Sequence, residues 1–345
     1  MARSFDTGLR QAQSLLRTNG WGERGVRVAV YTQVSAEALS AFLAKFDVGD
    51  LVSAKGIAEG VENSNYLVET TRDRFILTLY EKRVAADDLP YFMALLGHAA
   101  AAGQPVPGAI ADRSSALIHE LEGRPACLIE FLPGVSLSHP TPAQAMNGGK
   151  ALGGLHAALA DFAGVRPNSL GVDAWRPLLD RCGTAMDEIT PGLFAQVSSA
   201  LDRVEHDWPR DLATAPIHAD LFPDNVLMLG DRVTGLIDFY FACTDIRAYD
   251  VAVMHTSWAF DAKGVALAPE VGRGIVDGYA ASFGLSDAER AALPVLAKGA
   301  CIRFLLTRAW DWLNTPPDAM VTRKDPLAYL KRLDWYGQNG HSAFA

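Results

Sequence analysis

Cysteine is scarce and scattered: Cys127, Cys182, Cys243 and Cys301 are the whole set, and no two form a C-x-x-C pair. That spacing suits the reduced thiols of a cytoplasmic protein better than a disulfide framework or a zinc site. Each is expected to pack as a small apolar residue. Long apolar runs are also missing, and none approaches the ~20 residues that span a bilayer, so no membrane role is expected. Positive charge is in deficit. The 31 Lys and Arg stand against 40 Asp and Glu, a formal charge of −9 with a pI near 5.4. This argues against nucleic acid or an anionic membrane as partner. A site for a polyanion would have to be locally basic against that background. No internal repeat or low-complexity tract is evident, and nothing in the sequence speaks to oligomeric state. What remains is a chain of 345 residues, 49% apolar, large enough for one big domain or two lobes.

Residues 1–27 hold five Arg and four Gly with no continuous apolar segment, so a secretory signal is not expected there. Asp6 and Glu23 weaken a transit-peptide reading. A flexible extension is expected instead, with Val28 as the natural start of the folded pattern.

From there the patterning divides. Ser35 to Phe46 reads as a capped amphipathic helix. Strands are predicted near Leu51 to Gly56, Asn65 to Glu69, Phe75 to Tyr80 and Ala126 to Leu132, with a helix from Asp87 to Ala102. After Pro133-Gly134 the period becomes helical, over Gln144 to Ala160, Pro177 to Glu188, Leu193 to Trp208, Tyr249 to Phe260, Pro269 to Phe283 and Asp287 to Leu313. The pattern predicts an α+β chain with two lobes. Residues 28–133 form a small antiparallel β lobe, 134–335 a larger mainly helical lobe, and 336–345 a tail.

One short stretch interrupts the helices. His218-Ala-Asp220-Leu-Phe-Pro-Asp224-Asn225 reads H-x-D-L-x-x-x-N, and Asp238 follows thirteen residues after Asn225. Val226 to Leu229 and Val233 to Ile237, broken by Gly230-Asp231, predict a hairpin that brings Asn225 and Asp238 to one end. The order and spacing are those of a kinase catalytic loop and metal segment. Phosphoryl transfer needs an aligned hydroxyl and neutralised charge more than covalent help. Asp220 suits the first need, and the oxygens of Asn225 and Asp238 suit a hard cation. A turn capped by Asx side chains is the simpler alternative for any one of these residues.

The chain resembles the aminoglycoside-phosphotransferase-like superfamily, with its protein-kinase-like fold, and within it the homoserine kinases. The resemblance is carried by Lys55 to Asn65 (KGIAEGVENSN), Phe75 to Lys82 (FILTLYEK) and His218 to Asn225. Gly235 to Ala242 (GLIDFYFA), Ala248-Tyr-Asp250 and Arg303 to Pro317 complete it. It implies transfer of the ATP γ-phosphoryl group, with Mg2+, to the side-chain hydroxyl of L-homoserine in threonine biosynthesis. Other alcohol kinases of the superfamily, acting on choline, hydroxylysine or an aminoglycoside, are the alternatives, and a catalytically silent nucleotide-binding scaffold is another. The resemblance further implies Asp220 as the residue that accepts or orients the hydroxyl proton, and Asn225 with Asp238 as magnesium ligands. His218 and Asp250 are expected to support the loop. Gly60, Asn63 and Ser64 are candidates for a phosphate-covering turn, and backbone groups around Glu130 and Leu132 for adenine. One departure stands out. Relatives place Lys or Arg on the third strand, and this chain has Thr78, so Lys82 or Lys55 becomes a candidate substitute.

A zwitterionic acceptor calls for a cation opposite its carboxylate and a carboxylate opposite its ammonium group. Arg303 and Arg308 in the last predicted helix are candidates for the first, because a guanidinium fork meets a carboxylate bidentately. Asp245 is the candidate for the second, with an N-cap role as its competitor.

Overall fold

The computed structural model describes residues 32–57, 63–81, 84–315 and 323–344. The expected extension over 1–27, Gly60 and Lys82 lie outside the described residues.

Ser35 starts the first helix by accepting the N–H of Ala38, and α1 (Ala36–Leu43) buries Leu39, Phe42 and Leu43. Five strands follow: β1 (Leu51–Gly56), β2 (Asn63–Thr70), β3 (Arg74–Tyr80), and, after α2 (Leu89–Ala101), β4 (His119–Leu121) and β5 (Arg124–Glu130). They form one antiparallel sheet in the order β1-β2-β3-β5-β4. Alternation along β3 sends Phe75, Leu77 and Leu79 to a small core with α1, and Tyr80 to the larger core on the opposite side.

The rest is mainly helical. In chain order come α3 (Pro142–Ala158), α4 (Val172–Cys182), α5 (Leu193–Asp207), α6 (Arg247–Trp258), α7 (Pro269–Ser282), α8 (Asp287–Asn314) and α9 (Leu327–Ala343). Between α5 and α6 lie four short strands, β6 (Thr214–Ile217), β7 (Val226–Leu229), β8 (Arg232–Leu236) and β9 (Cys243–Ile246). Because β7 pairs with β8 and β6 with β9, the loops at 218–225 and 237–242 emerge together. From Ala248 onward every residue of α6 is buried, so this helix forms a floor beneath the loops. Helices α3 and α7 meet backbone to backbone: a Cβ on Gly149 would lie 2.2 Å from the Ile275 carbonyl oxygen, and one on Gly278 2.1 Å from that of Met146. Only glycine permits that approach, which brings His156 against Tyr279.

The α+β arrangement is the one the patterning predicts. Two boundaries differ by more than three residues. The helix expected to begin at Pro177 starts at Val172 and ends at Cys182, where a 3-10 turn, Gly183–Glu188, takes over. Pro177 forfeits one intrahelical hydrogen bond, and burial of Trp175, whose indole N–H bonds the Leu170 carbonyl and whose ring meets Trp208, holds the preceding turn. The segment expected as a tail from 336 is the second half of α9, where Tyr336 packs against His255 and Phe260.

Candidate active site

Ala219 sits at the apex of the first loop with φ +63°, and Asp238 opens the second with φ +69°. A left-handed conformation is costly for a residue with a Cβ and persists where its surroundings over-determine it. At Ala219 those surroundings are explicit. The fully buried Asp250 carboxylate accepts the N–H of His218 and of Ala219, each at 2.7 Å. His156 Nε2 donates to the same carboxylate at 3.1 Å, and its Nδ1 meets the Tyr279 hydroxyl at 2.9 Å. Burial alone would raise the Asp250 carboxyl. The hydrogen bond and charge of His156, with the His218 N–H, outweigh it and hold Asp250 below the ordinary value of 3.8.

His218 ties the two loops together. Its Nε2 donates to the Ile237 carbonyl at 2.9 Å and its Nδ1 accepts the Asp220 N–H at 3.2 Å, a pattern that a neutral ring with one donor and one acceptor satisfies. Burial lowers its pKa below 6.5, in keeping with that state. Asn225 ends a 3-10 turn, Pro223–Asn225, with its own carbonyl accepting the Ile237 N–H at 3.0 Å. That bond joins Asn225 to Ile237, the residue before Asp238. The Asn225 amide nitrogen donates to the Asp220 carbonyl at 2.8 Å and approaches Asp220 Oδ2 at 3.4 Å, which turns its oxygen the other way.

Asp220 borders a cavity of about 1080 Å3. Phe222, Tyr240 and Phe241 adjoin it there, and Arg303, Phe304, Thr307 and Arg308 line it from α8. Glu81 and Arg124 close it from the end of the β-sheet. Seven Arg and Lys side chains line this space against three carboxylates, so the local charge is opposite in sign to that of the whole chain. The basic site demanded by the acidic composition is therefore this one. Glu81, Arg124, Arg166 and Tyr240 had drawn no notice in the sequence. Glu81 and Tyr240 had a signal, standing within the FILTLYEK and GLIDFYFA stretches, while Arg166 lies in an irregular loop with none.

Several candidates sit elsewhere. Ser64 is fully buried in β2 on the side shared with Tyr66 and Val68; its hydroxyl donates to Glu81 at 2.8 Å and accepts the Thr32 N–H at 3.1 Å. Asn63 is 4% exposed and its side-chain oxygen faces the Glu81 N–H. Both are strand residues, not turn donors, because β2 begins two residues earlier than the pattern suggests. Thr78 is 1% exposed and donates to Asn65 at 2.8 Å, so it offers the cavity neither charge nor a spare proton. Lys55 is an exposed residue of β1 that does not line the cavity.

Glu130 already spends its N–H on the Gly108 carbonyl and its carboxylate on the Gly108 N–H, and Leu132 packs over Gly235. Neither borders the cavity. Asp245 does not border it either; Asn168 donates to its carboxylate at 2.6 Å, and the N–H of Ile246 at 2.7 Å. It is not an N-cap, since Ile246 precedes α6 without a side-chain cap. Arg308 lines the cavity with its guanidinium 4.5 Å from the Tyr329 ring centre and one nitrogen on the Asp325 carbonyl at 3.1 Å.

Residues 53–291, spanning both the sheet and the catalytic hairpin, match the phosphotransferase enzyme family. The chain belongs to that family. It is 52% identical to a homoserine kinase of Gluconobacter oxydans over 91% of this chain and all of that one. It is 51% identical to a homoserine kinase of Xanthobacter autotrophicus over 90% of this chain and 96% of that one. Within the phosphotransferase family the chain belongs with these homoserine kinases. Solved phosphotransferase structures share its fold at low identity. One is a spectinomycin phosphotransferase complexed with ADP and spectinomycin, at 13% identity with a TM-score of 0.67, covering 90% of this chain and all of that one. Another is an amicoumacin kinase, at 12% with a TM-score of 0.67, covering 88% and 94%. Membership makes the protein an ATP-dependent phosphotransferase that uses a divalent cation.

Proposed function

We propose that the protein transfers the γ-phosphoryl group of ATP to the side-chain hydroxyl of L-homoserine, giving O-phospho-L-homoserine. The observation that carries this reading is near-full-length identity of about half to homoserine kinases, combined with a catalytic loop whose Asp220 borders a basic cavity. The cavity's charge also separates the alternatives. A polycationic aminoglycoside or choline would meet an excess of arginines there, whereas ATP and the carboxylate of homoserine are attracted by them.

In this reading Asp220 meets the acceptor hydroxyl and takes or directs its proton. Asn225 and Asp238 hold the cation, which we assign as Mg2+. The donor set fits: two oxygen-bearing side chains at one end of a hairpin, with the Asn225 amide nitrogen engaged by Asp220 so that its oxygen faces away. Among the described residues no cluster of three or more His, Cys, Asp or Glu is placed to hold a metal. Magnesium in such enzymes is bound by one or two protein groups together with substrate phosphates, so a sparse set is what it takes. When bound, it neutralises phosphate charge as the γ-phosphoryl group moves. His218 and Asp250 keep the loop in register, and Arg308 receives the acceptor's carboxylate. The sheet side, roughly residues 28–133, is assigned to the nucleotide and the helical side to chemistry and acceptor.

Turnover of L-homoserine, choline, hydroxylysine and kanamycin with ATP and Mg2+ tests the acceptor. A kcat/KM for L-homoserine at least about 100-fold above choline and kanamycin is expected, since a site built for a carboxylate rejects alcohols that lack it, with hydroxylysine, which carries the carboxylate on a longer chain, falling between. Phosphorylation of choline or kanamycin without homoserine would overturn the assignment.

A further inference from the structure

The peptide unit at the apex of the catalytic loop is gripped from two sides. Asp250 of α6 holds the Ala219 N–H, and Nη1 of Arg303, from α8, donates to the Ala219 carbonyl. Arg303 is 2% exposed, and its guanidinium lies 4.5 Å from the ring centre of Phe304 and 5.5 Å from that of Phe241. Its Nε is buried without a partner. A guanidinium that clamps a substrate carboxylate must present two parallel N–H groups to it. Both arginines spend one nitrogen on backbone and lie against aromatic rings, but Arg303 is fully buried whereas Arg308 stays partly exposed.

We infer that Arg303 is a positioning residue: by holding the Ala219 carbonyl it keeps residue 219 left-handed and so sets the direction in which Asp220 faces the acceptor. Of the two arginines considered for the carboxylate, Arg308 is then the one that remains. The inference rests on the reading of Asp220 as the group that meets the acceptor hydroxyl. Residue 219 has a Cβ and φ +63°, so it leaves this conformation readily once one of its two holders is lost. A misplacement of about 1 Å at a reacting group costs roughly 100-fold in rate.

The test compares two acceptors, L-homoserine and 3-amino-1-propanol, which is homoserine without its carboxylate. In Arg303→Lys, kcat is expected to fall about 100-fold for both acceptors alike, with KM for homoserine and ATP within about threefold of wild type. Adding Ala219→Gly to that variant should recover about fivefold in kcat, because glycine takes a positive φ without strain. Arg308→Gln should do the reverse and erase the preference for homoserine over aminopropanol. A raised homoserine KM with kcat intact in Arg303→Lys, and aminopropanol turnover unaffected, would overturn the inference and return Arg303 to the clamp. So would a double variant no faster than Arg303→Lys. ATP binding certifies folding; if the lysine variant does not fold, Arg303→Gln is read by the same criteria. Wild-type protein that ignores homoserine would instead overturn the acceptor assignment, and the variants are then compared on the alcohol it does phosphorylate.

Discussion

At the catalytic loop, buried polar groups stand behind the backbone: Asp250, itself braced by His156, and Arg303 hold the main chain of residues 218 and 219, and Asp220 is left bordering the cavity. At the tip of the β-sheet the polar side chains hold one another. Ser64 and Thr32 donate to Glu81, Arg124 pairs with Glu81 at 3.2 Å, and Thr78 donates to Asn65. The first arrangement places strain and charge where chemistry occurs. The second satisfies buried polar atoms and leaves mainly Glu81 and Arg124 facing the cavity. Polar identity alone does not separate the two, since both regions are rich in Asp, Asn, Ser and Thr. What separates them is whether the carboxylate binds main chain from behind or side chains from beside.

Variants can break that contrast. Asp238→Asn, on the loop side, should lower kcat about 1000-fold, the loss seen when one charge-stabilising group is removed, and added Mg2+ should not restore it. Activity within tenfold of wild type would move the cation site elsewhere. Asp250→Asn replaces an acceptor of two backbone N–H groups by an amide that can accept through one oxygen only, so a buried donor is left unmet. A kcat loss of about 100-fold is expected, with a lower Tm.

The pH dependence of that Tm difference sharpens the point. The Asp250 carboxyl is held below 3.8 in the folded protein, so its stabilisation is present above about pH 4 and is lost as pH falls through its folded value. The Tm gap between wild type and Asp250→Asn should therefore be constant from pH 5 upward and narrow below pH 4. A gap that widens in acid would contradict the hydrogen-bond account.

Effects at the sheet tip should be smaller. Glu81→Gln weakens the attachment of Thr32, Ser64 and Arg124, and a change of about tenfold in kcat/KM is expected, together with a lower Tm. Ser64→Ala and Thr78→Val should cost about 1 kcal/mol of stability each and leave KM for ATP within about threefold. A rise in that KM of tenfold or more in either would restore these residues to the nucleotide site and erase the distinction between the two regions.

This contrast also explains what could be read from the chain. The hairpin carrying Asn225 and Asp238 was legible because a few residues of local sequence dictate it: a Pro-Asp turn, two short apolar runs and a Gly-Asp break. The helical boundaries from Gln144 onward were legible within two or three residues for the same local reason, except at Pro177, where burial of Trp175 overrode the breaker. Ser64 was misread because the turn was expected to run up to Asn65, whereas β2 begins two residues earlier, at Asn63, and takes Ser64 into the strand on its buried face. Asp245 and Arg303 were both plausible acceptor contacts by residue type. Their partners, Asn168 and the Ala219 carbonyl, lie 77 and 84 residues away in sequence, beyond the reach of any local pattern. Helix α9 went unread although Tyr329, Leu333 and Tyr336 recur at helical spacing.

The account stands most directly on Asp220. Homoserine turnover and ATP-analogue binding, measured side by side on wild type and Asp220→Ala, separate chemistry from nucleotide binding. Loss of turnover by at least about 1000-fold, with the analogue's Kd within about threefold, is the expected result. Turnover near the wild-type rate in Asp220→Ala would contradict it.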